Sequence, residues 1–256
     1  MKRYLRAVGI LLASAFLYQV ARVSTSVAEP VSHPTPCPSK RIDSIVQFGT
    51  YDQLTRAELD GVTPVHEVAA SGDFGLGTFN GLDGEMIVLD GVVYHGPASG
   101  HLEVARPDTL VPFAAVTHFR PEQAFRPSAA FADYPTLQGF LTTSMPDQTQ
   151  MLAIKIHGTL NTLKIRAPQK QVKPYPVIAD ALKTQVVFDF TNISGTLVGF
   201  RLPTYLGTAN ATGYHFHFVS DDRRVGGHVL DVGTGSVVVE AETVERLDLT
   251  AVPGGD

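Results

Sequence analysis

The chain has 256 residues, with 20 Lys+Arg against 25 Asp+Glu and a formal net charge of −5. Its 44% hydrophobic and 18% charged residues suit a folded globular protein and exclude wholesale disorder. An acidic chain lacks the basic field that ordinary nucleic-acid binding needs, and no dinucleotide or Walker fingerprint offers nucleotide chemistry a seat.

The charge is uneven. Residues 1–28 hold Lys2, Arg3, Arg6 and Arg22 and no acid, so taking these four cations from the total of −5 leaves the remainder at −9. Lys2 and Arg3 precede an apolar run, Ala7 to Ala21, and Ser26-Val27-Ala28 follows it. That is the three-part layout of a secretory signal. A membrane span takes roughly 20 apolar residues, more than this run supplies. The reading is a signal peptide over 1–28, cleavage near Ala28, a secreted or periplasmic location and no stable membrane association after cleavage. Arg22 makes the cleavage region atypical, and an uncleaved anchor is the competing reading. Cys37 is the only cysteine, so no intrachain disulfide forms. It sits in a Pro-rich linker, residues 29–45, and reads as a free thiol.

From Gln47 onward short strands alternate with Gly, Asp-Gly and Pro punctuation. LTRAELDG (54–61) reads as a helical turn or two. GDFGLGTF (72–79) has glycines spaced G-x-x-G-x-G with no Lys-Ser/Thr after them, so a tight turn between elements is a better account than a phosphate cradle. GEMIVL (84–89) and VVYH (92–95) flank Asp90-Gly91, which predicts a hairpin closed by a type I′ turn. Glu85 opens its first strand. PFAAVTHF (112–119) reads as a strand, and the weakly patterned 121–149 leaves room for a short helix.

MLAIKIHG (151–158) and TLKIR (162–166) alternate apolar and polar residues and read as two strands, the second ending at Arg166. QVVFDF (185–190) and TLVGF (196–200) bracket Asn192-Ile193-Ser194-Gly195, which predicts a turn. ADALKTQ (179–185) predicts a short helical piece. The fold class is α+β and β-rich: two closely packed β-sheet or barrel-like subdomains, residues 46–148 and 149–256, with a few short helices.

The chemistry concentrates in GYHFHFVSDDRRVGGHVLD (213–231). In a strand, His215 and His217 project from one face while Tyr214, Phe216 and Phe218 take the other. DDRR is a turn candidate, and a hairpin symmetric about 222/223 sets residue 217 opposite residue 228. Cross-strand Cβ atoms sit roughly 4.5–5.5 Å apart, so three imidazoles converge, with Gly226-Gly227 leaving their approach open. Three neutral imidazoles with an open position form the ligand set of a catalytic Zn²⁺, although Fe, Mn, Ni or Cu also suits it. The competing reading is three polar-face histidines on a surface strand. The other six histidines (33, 66, 95, 101, 118 and 157) are scattered singly and read as structural or surface groups.

Together these segments resemble the alpha-acetolactate decarboxylase family. The resemblance is carried by GDFGLGTFNGLDGEMIVLDGVVY (72–94), Pro112-Phe113-Ala114, Lys155-Ile156-His157-Gly158 and Arg166 with Lys173-Pro174-Tyr175. It continues through GTLVGF (195–200) and the histidine segment 213–231. It implies a metal-dependent carboxy-lyase, usually a homodimer, that converts 2-acetolactate, a small 2-hydroxy-3-keto acid, to acetoin and CO₂ through a zinc-stabilised enediolate. By motif it implies His215, His217 and His228 as zinc ligands, Glu85 and Arg166 as catalytic groups, and Thr78 with Arg166 as substrate-binding groups. The family also returns a further glutamate to the pocket from a C-terminal extension. Glu240, Glu242 and Glu245 lie in the corresponding stretch here, and none matches that motif. Two alternatives stand beside this reading: a secreted zinc hydratase or hydrolase on the same scaffold, and a metal- or ligand-binding homologue without catalysis.

Overall fold

The computed structural model describes residues 43–250. The predicted signal peptide and Cys37 lie outside them, as does the linker except at its end, where Ser44 and Ile45 already belong to the first strand. Among the described residues no helix is long and apolar enough to cross a membrane.

Two sheets dominate. The first has seven strands. Four of them come consecutively from the N-terminal half: β1 (Ser44–Phe48), then, after the short β2 (Thr63–Pro64), β3 (Phe74–Thr78), β4 (Glu85–Leu89) and β5 (Val92–Gly96). β6 (Glu103–Val104) follows at one edge, β7 (Leu110–Val111) pairs with β2 in a separate ribbon, and β8 (Phe113–Thr117) inserts between β1 and β3. The second sheet takes β9 (Gln123–Phe125), β10 (Met151–Ala167), β11 (Val186–Leu202), β12 (Gly213–Ser220) and β13 (Gly226–Val244). β10 pairs with both β11 and β13, so β10 to β13 close on themselves as a small barrel. β14 (Arg246–Thr250) leaves the barrel and pairs parallel to β1, at the other edge of the first sheet.

The predicted hairpin at Asp90-Gly91 is present: Leu89 pairs with Val92, and both turn residues have positive φ, 53° and 78°. Four expectations are corrected. The glycines of 72–79 do not form a turn; Gly75 and Gly77 lie inside β3. Cβ atoms there would run into the carbonyls of Ala115 and Phe113 on β8, so glycine admits a neighbouring strand too close for any side chain. MLAIKIHG and TLKIR are one continuous strand, β10, and no turn interrupts 185–200, which is the single strand β11. Pairing from Leu152–Arg201 to Ala167–Val186 keeps one register throughout, and Asn192 is absorbed within the ladder at φ 52°. The helix foreseen at 54–61 begins earlier, as α1 (Tyr51–Thr55), because Thr50 and Gln53 form a capping box.

The remaining helices are α2 (Val65–Ser71), α3 (Tyr134–Ser144) in the weakly patterned segment, and α4 (Ile178–Ala181), which runs into a 3₁₀ turn at Leu182–Thr184. Phe216 and Phe218, fully buried, join Ile154, Ile156, Leu163 and Ile165 in the barrel core beneath α3. A second core, with Leu76, Ile87, Phe113 and Phe200, fills the space between the sheet and the barrel. With the aromatics of β12 turned into the barrel, its histidines face the sheet.

Candidate metal centre

His217 pairs with His228 across the β12–β13 hairpin, as the symmetric turn predicts. His215 Nε2 lies 3.2 Å from His217 Nε2 and 3.0 Å from His228 Nδ1. Among the described residues these three form the one group of histidine, cysteine or carboxylate side chains close enough to share a metal ion. Gly227 serves the site differently from the open approach first read into it. A Cβ there would sit 2.7 Å from the Arg166 carbonyl, so the glycine lets β10 lie against the hairpin.

The sheet supplies the next layer. His217 is 1% exposed, and its Nδ1 lies 2.7 Å from the Met86 carbonyl on β4. A carbonyl only accepts, so Nδ1 carries the proton and Nε2 presents a bare lone pair. That lone pair faces Glu85 Oε2 at 3.3 Å and a second imidazole nitrogen at 3.2 Å. Electron pairs face one another there, and a single N–H on His215 can bridge only one of the gaps. A cation among the nitrogens satisfies them all, so the residues fit a metal ion.

Burial, with lesser contributions from neighbouring charges, lowers the pKa of His215 to about 4 and those of His217 and His228 well below the ordinary value. The imidazoles are therefore neutral, the state in which they ligate. Burial acts oppositely on Glu85, raising it to about 7 against the pull of Arg166, whose Nε stands 4.0 Å from Oε1.

These shifts set a pH dependence for the chelator-stripped protein. Between about pH 6.5 and 4 the unfolded chain protonates its histidines while the folded one resists, which removes about 1.4 kcal/mol per pH unit for each. Glu85 runs the other way from about pH 7 to 4.5, where the folded chain binds the extra proton, and offsets one histidine. The urea midpoint should fall steadily from pH 7 to 5, and Zn²⁺ at pH 7 should raise it. A flat midpoint over this range would contradict the burial of neutral imidazoles.

Thr78, Glu85, Arg166 and the three histidines line one cavity of about 810 Å³, its open mouth included. Thr78 pairs with Glu85 across β3 and β4, and its hydroxyl donates to the Gly84 carbonyl at 2.7 Å, which ties down the turn before Glu85. Arg166 pairs with His228 across β10 and β13. Every proposed site residue therefore reaches the same space. Glu240, Glu242 and Glu245 do not line it: Glu240 pairs with Lys155 at 2.7 Å, and buried Glu242 accepts from the Arg120 amide at 3.0 Å. Sequence reasoning missed the apolar wall, formed by Leu54, Leu76, Leu82, Phe113, Ile178 and Leu182. It also missed the Met86 carbonyl, a backbone group with no residue-type signal.

Three imidazoles on a rigid hairpin, with a carboxylate and a guanidinium in one cavity at a barrel–sheet seam, define a protein with a candidate catalytic metal site. The model of the family described as Alpha-acetolactate decarboxylase matches residues 45–254. The alpha-acetolactate decarboxylase of Methanosarcina mazei is 39% identical over 211 residues, 82% of this chain and 73% of that protein. That of Brevibacillus brevis is 31% identical over 246 residues, 96% and 86% of the two chains. The crystal structure of alpha-acetolactate decarboxylase from Bacillus subtilis strain 168 superposes with a TM-score of 0.80 at 32% identity, covering 82% of this chain and 89% of that one. The chain belongs to the alpha-acetolactate decarboxylase family.

Proposed function

We propose that the protein decarboxylates 2-acetolactate to acetoin and CO₂ with a divalent metal, zinc first among the candidates, held by His215, His217 and His228. One observation carries the reading: metal-competent imidazoles, an acid poised near neutrality and a guanidinium share a cavity in a chain whose relatives carry this activity in their names. When bound, the metal supplies Lewis-acid stabilisation of the negative charge that builds on the substrate oxygens as the enediolate forms.

The chain's own groups do the rest. Arg166 orients the substrate carboxylate through paired hydrogen bonds. The bond between C1 and C2 breaks, CO₂ leaves, and its electron pair passes into the ketone. A proton must then reach C2, and in this reading Glu85 delivers it and recovers one from solvent. The Thr78 oxygen accepts from the substrate hydroxyl. The apolar wall holds the two methyl groups and limits water at the reacting carbon. The net charge of −9 outside residues 1–28 gives an anionic substrate no general attraction, so capture falls to the local cations. Export through residues 1–28 and assembly as a homodimer belong to the same proposal.

Racemic acetolactate, offered to purified protein with and without a chelator, tests the reading by the acetoin formed. Chelator-sensitive acetoin supports it. Ester or CO₂ hydration without acetoin would replace it with a hydrolytic function, and metal binding without turnover would replace it with a binding one.

A further inference from the structure

Arg166 is held by a residue that has no place in the scheme above. Its Nη1 donates to Gln185 Oε1 at 3.1 Å. Arginine offers only donors, so the carboxamide must turn its oxygen to the guanidinium. Arg166 Nε is buried with no hydrogen-bond partner, and the nearest carboxylate is Glu85, 4.0 Å away. Gln185 does not line the cavity. It ends an excursion that leaves β10 at Pro168, two residues after Arg166, and returns at the start of β11. That excursion is tied to the turn preceding Glu85, with the Gly84 amide donating to the Pro168 carbonyl at 3.2 Å and the Gln171 amide to the Gly81 carbonyl at 2.6 Å. It also contributes Ile178 and Leu182 to the cavity wall.

We infer that Gln185 is a positioning residue for carboxylate recognition: it fixes the Arg166 guanidinium by one N–H, adds no negative charge of its own beside it and leaves the remaining Nη donors to the substrate. A neutral amide suits this task where a carboxylate does not. A glutamate at 185 would form a charge-assisted, two-pronged pair with Arg166 and compete with the substrate for it. With no acceptor at 185, the guanidinium is free to close on Glu85 from its present 4.0 Å and turn its donors away from the substrate. The inference rests on the reading that Arg166 binds the substrate carboxylate.

The test uses metal-loaded full-length protein and two inhibitors that differ in charge, 2-hydroxyisobutyrate and acetoin. Gln185→Leu should weaken inhibition by 2-hydroxyisobutyrate, and raise KM for acetolactate, by about tenfold, the effect of one charge-assisted hydrogen bond. Inhibition by uncharged acetoin should hold, and kcat should change less than KM. Gln185→Glu should weaken carboxylate binding further, and Gln185→Leu should add nothing to Arg166→Ala. Equal weakening of both inhibitors would show a merely structural role and overturn the inference. Unchanged carboxylate inhibition in Gln185→Leu, where Arg166→Ala loses it, would overturn it as well. If Arg166→Ala itself keeps carboxylate inhibition, the reading of Arg166 fails and the inference falls with it.

Discussion

His215→Ala should lose its metal and its acetoin formation while remaining folded, and His217→Ala should lose both and be less stable as well. Each variant removes one of three ligands, which lowers metal affinity by more than the roughly 10–100-fold typical of supporting residues, and activity should fall in proportion to occupancy. The two differ in what else they leave behind. His215 keeps part of its surface toward the cavity, its Nδ1 has no hydrogen-bond partner and its Nε2 meets only the other two imidazoles, so its loss breaks no anchor to the sheet. His217 is buried and donates to the Met86 carbonyl. Alanine there opens a hole and leaves that carbonyl unpaired, at a cost of about 1–3 kcal/mol for the hydrogen bond alone. Metal analysis and urea unfolding of the stripped proteins separate the effects. Equal stability for the two variants would contradict the anchoring of His217 to β4.

Glu85→Gln should keep its metal and fold and lose about 10²–10⁴-fold in kcat, the range for removing a positioned general acid or base. The amide matches the carboxyl group in size, and three imidazoles remain to hold the ion. KM should move little, because Arg166 still meets the carboxylate. Stability of the stripped protein at pH 8 should rise. Burial lifts the Glu85 pKa to about 7, so at pH 8 the folded chain carries an ionised carboxylate that its surroundings disfavour, and glutamine removes that penalty. The limb of the pH–rate profile governed by Glu85 should vanish in the variant. Metal loss together with activity would instead make Glu85 a ligand.

What could be read from sequence was local. The histidine site followed from a symmetric turn of four polar residues, and strand geometry then placed His217 opposite His228 without further information. Thr78 and Glu85 face each other across one hairpin, but the glycines of 72–79 suggested a turn, because only a neighbouring strand explains why Gly75 and Gly77 carry no side chain. Glu85 and Arg166 therefore rested on family resemblance, since a lone acid or arginine at a strand end is ordinary. Long-range pairing was not legible at all. β14 lies parallel to β1, from the far end of the chain, and β9 joins β13 rather than the sheet of β8, the strand before it. β10 and β11 looked like four short strands because the barrel buries their alternating faces only in part, which breaks the apolar pattern while the hydrogen-bonded ladder continues. Gln185 carries no motif and gains meaning only from the guanidinium beside it.

The central claim, that acetoin formation depends on a metal held by the three histidines, is met most directly by titration. Zn²⁺ is added back to chelator-stripped protein, and acetoin formed from racemic acetolactate is measured against bound metal. Acetoin production should rise linearly with occupancy and level off at one ion per chain. Full acetoin production in the stripped protein, or none at full occupancy, would contradict it.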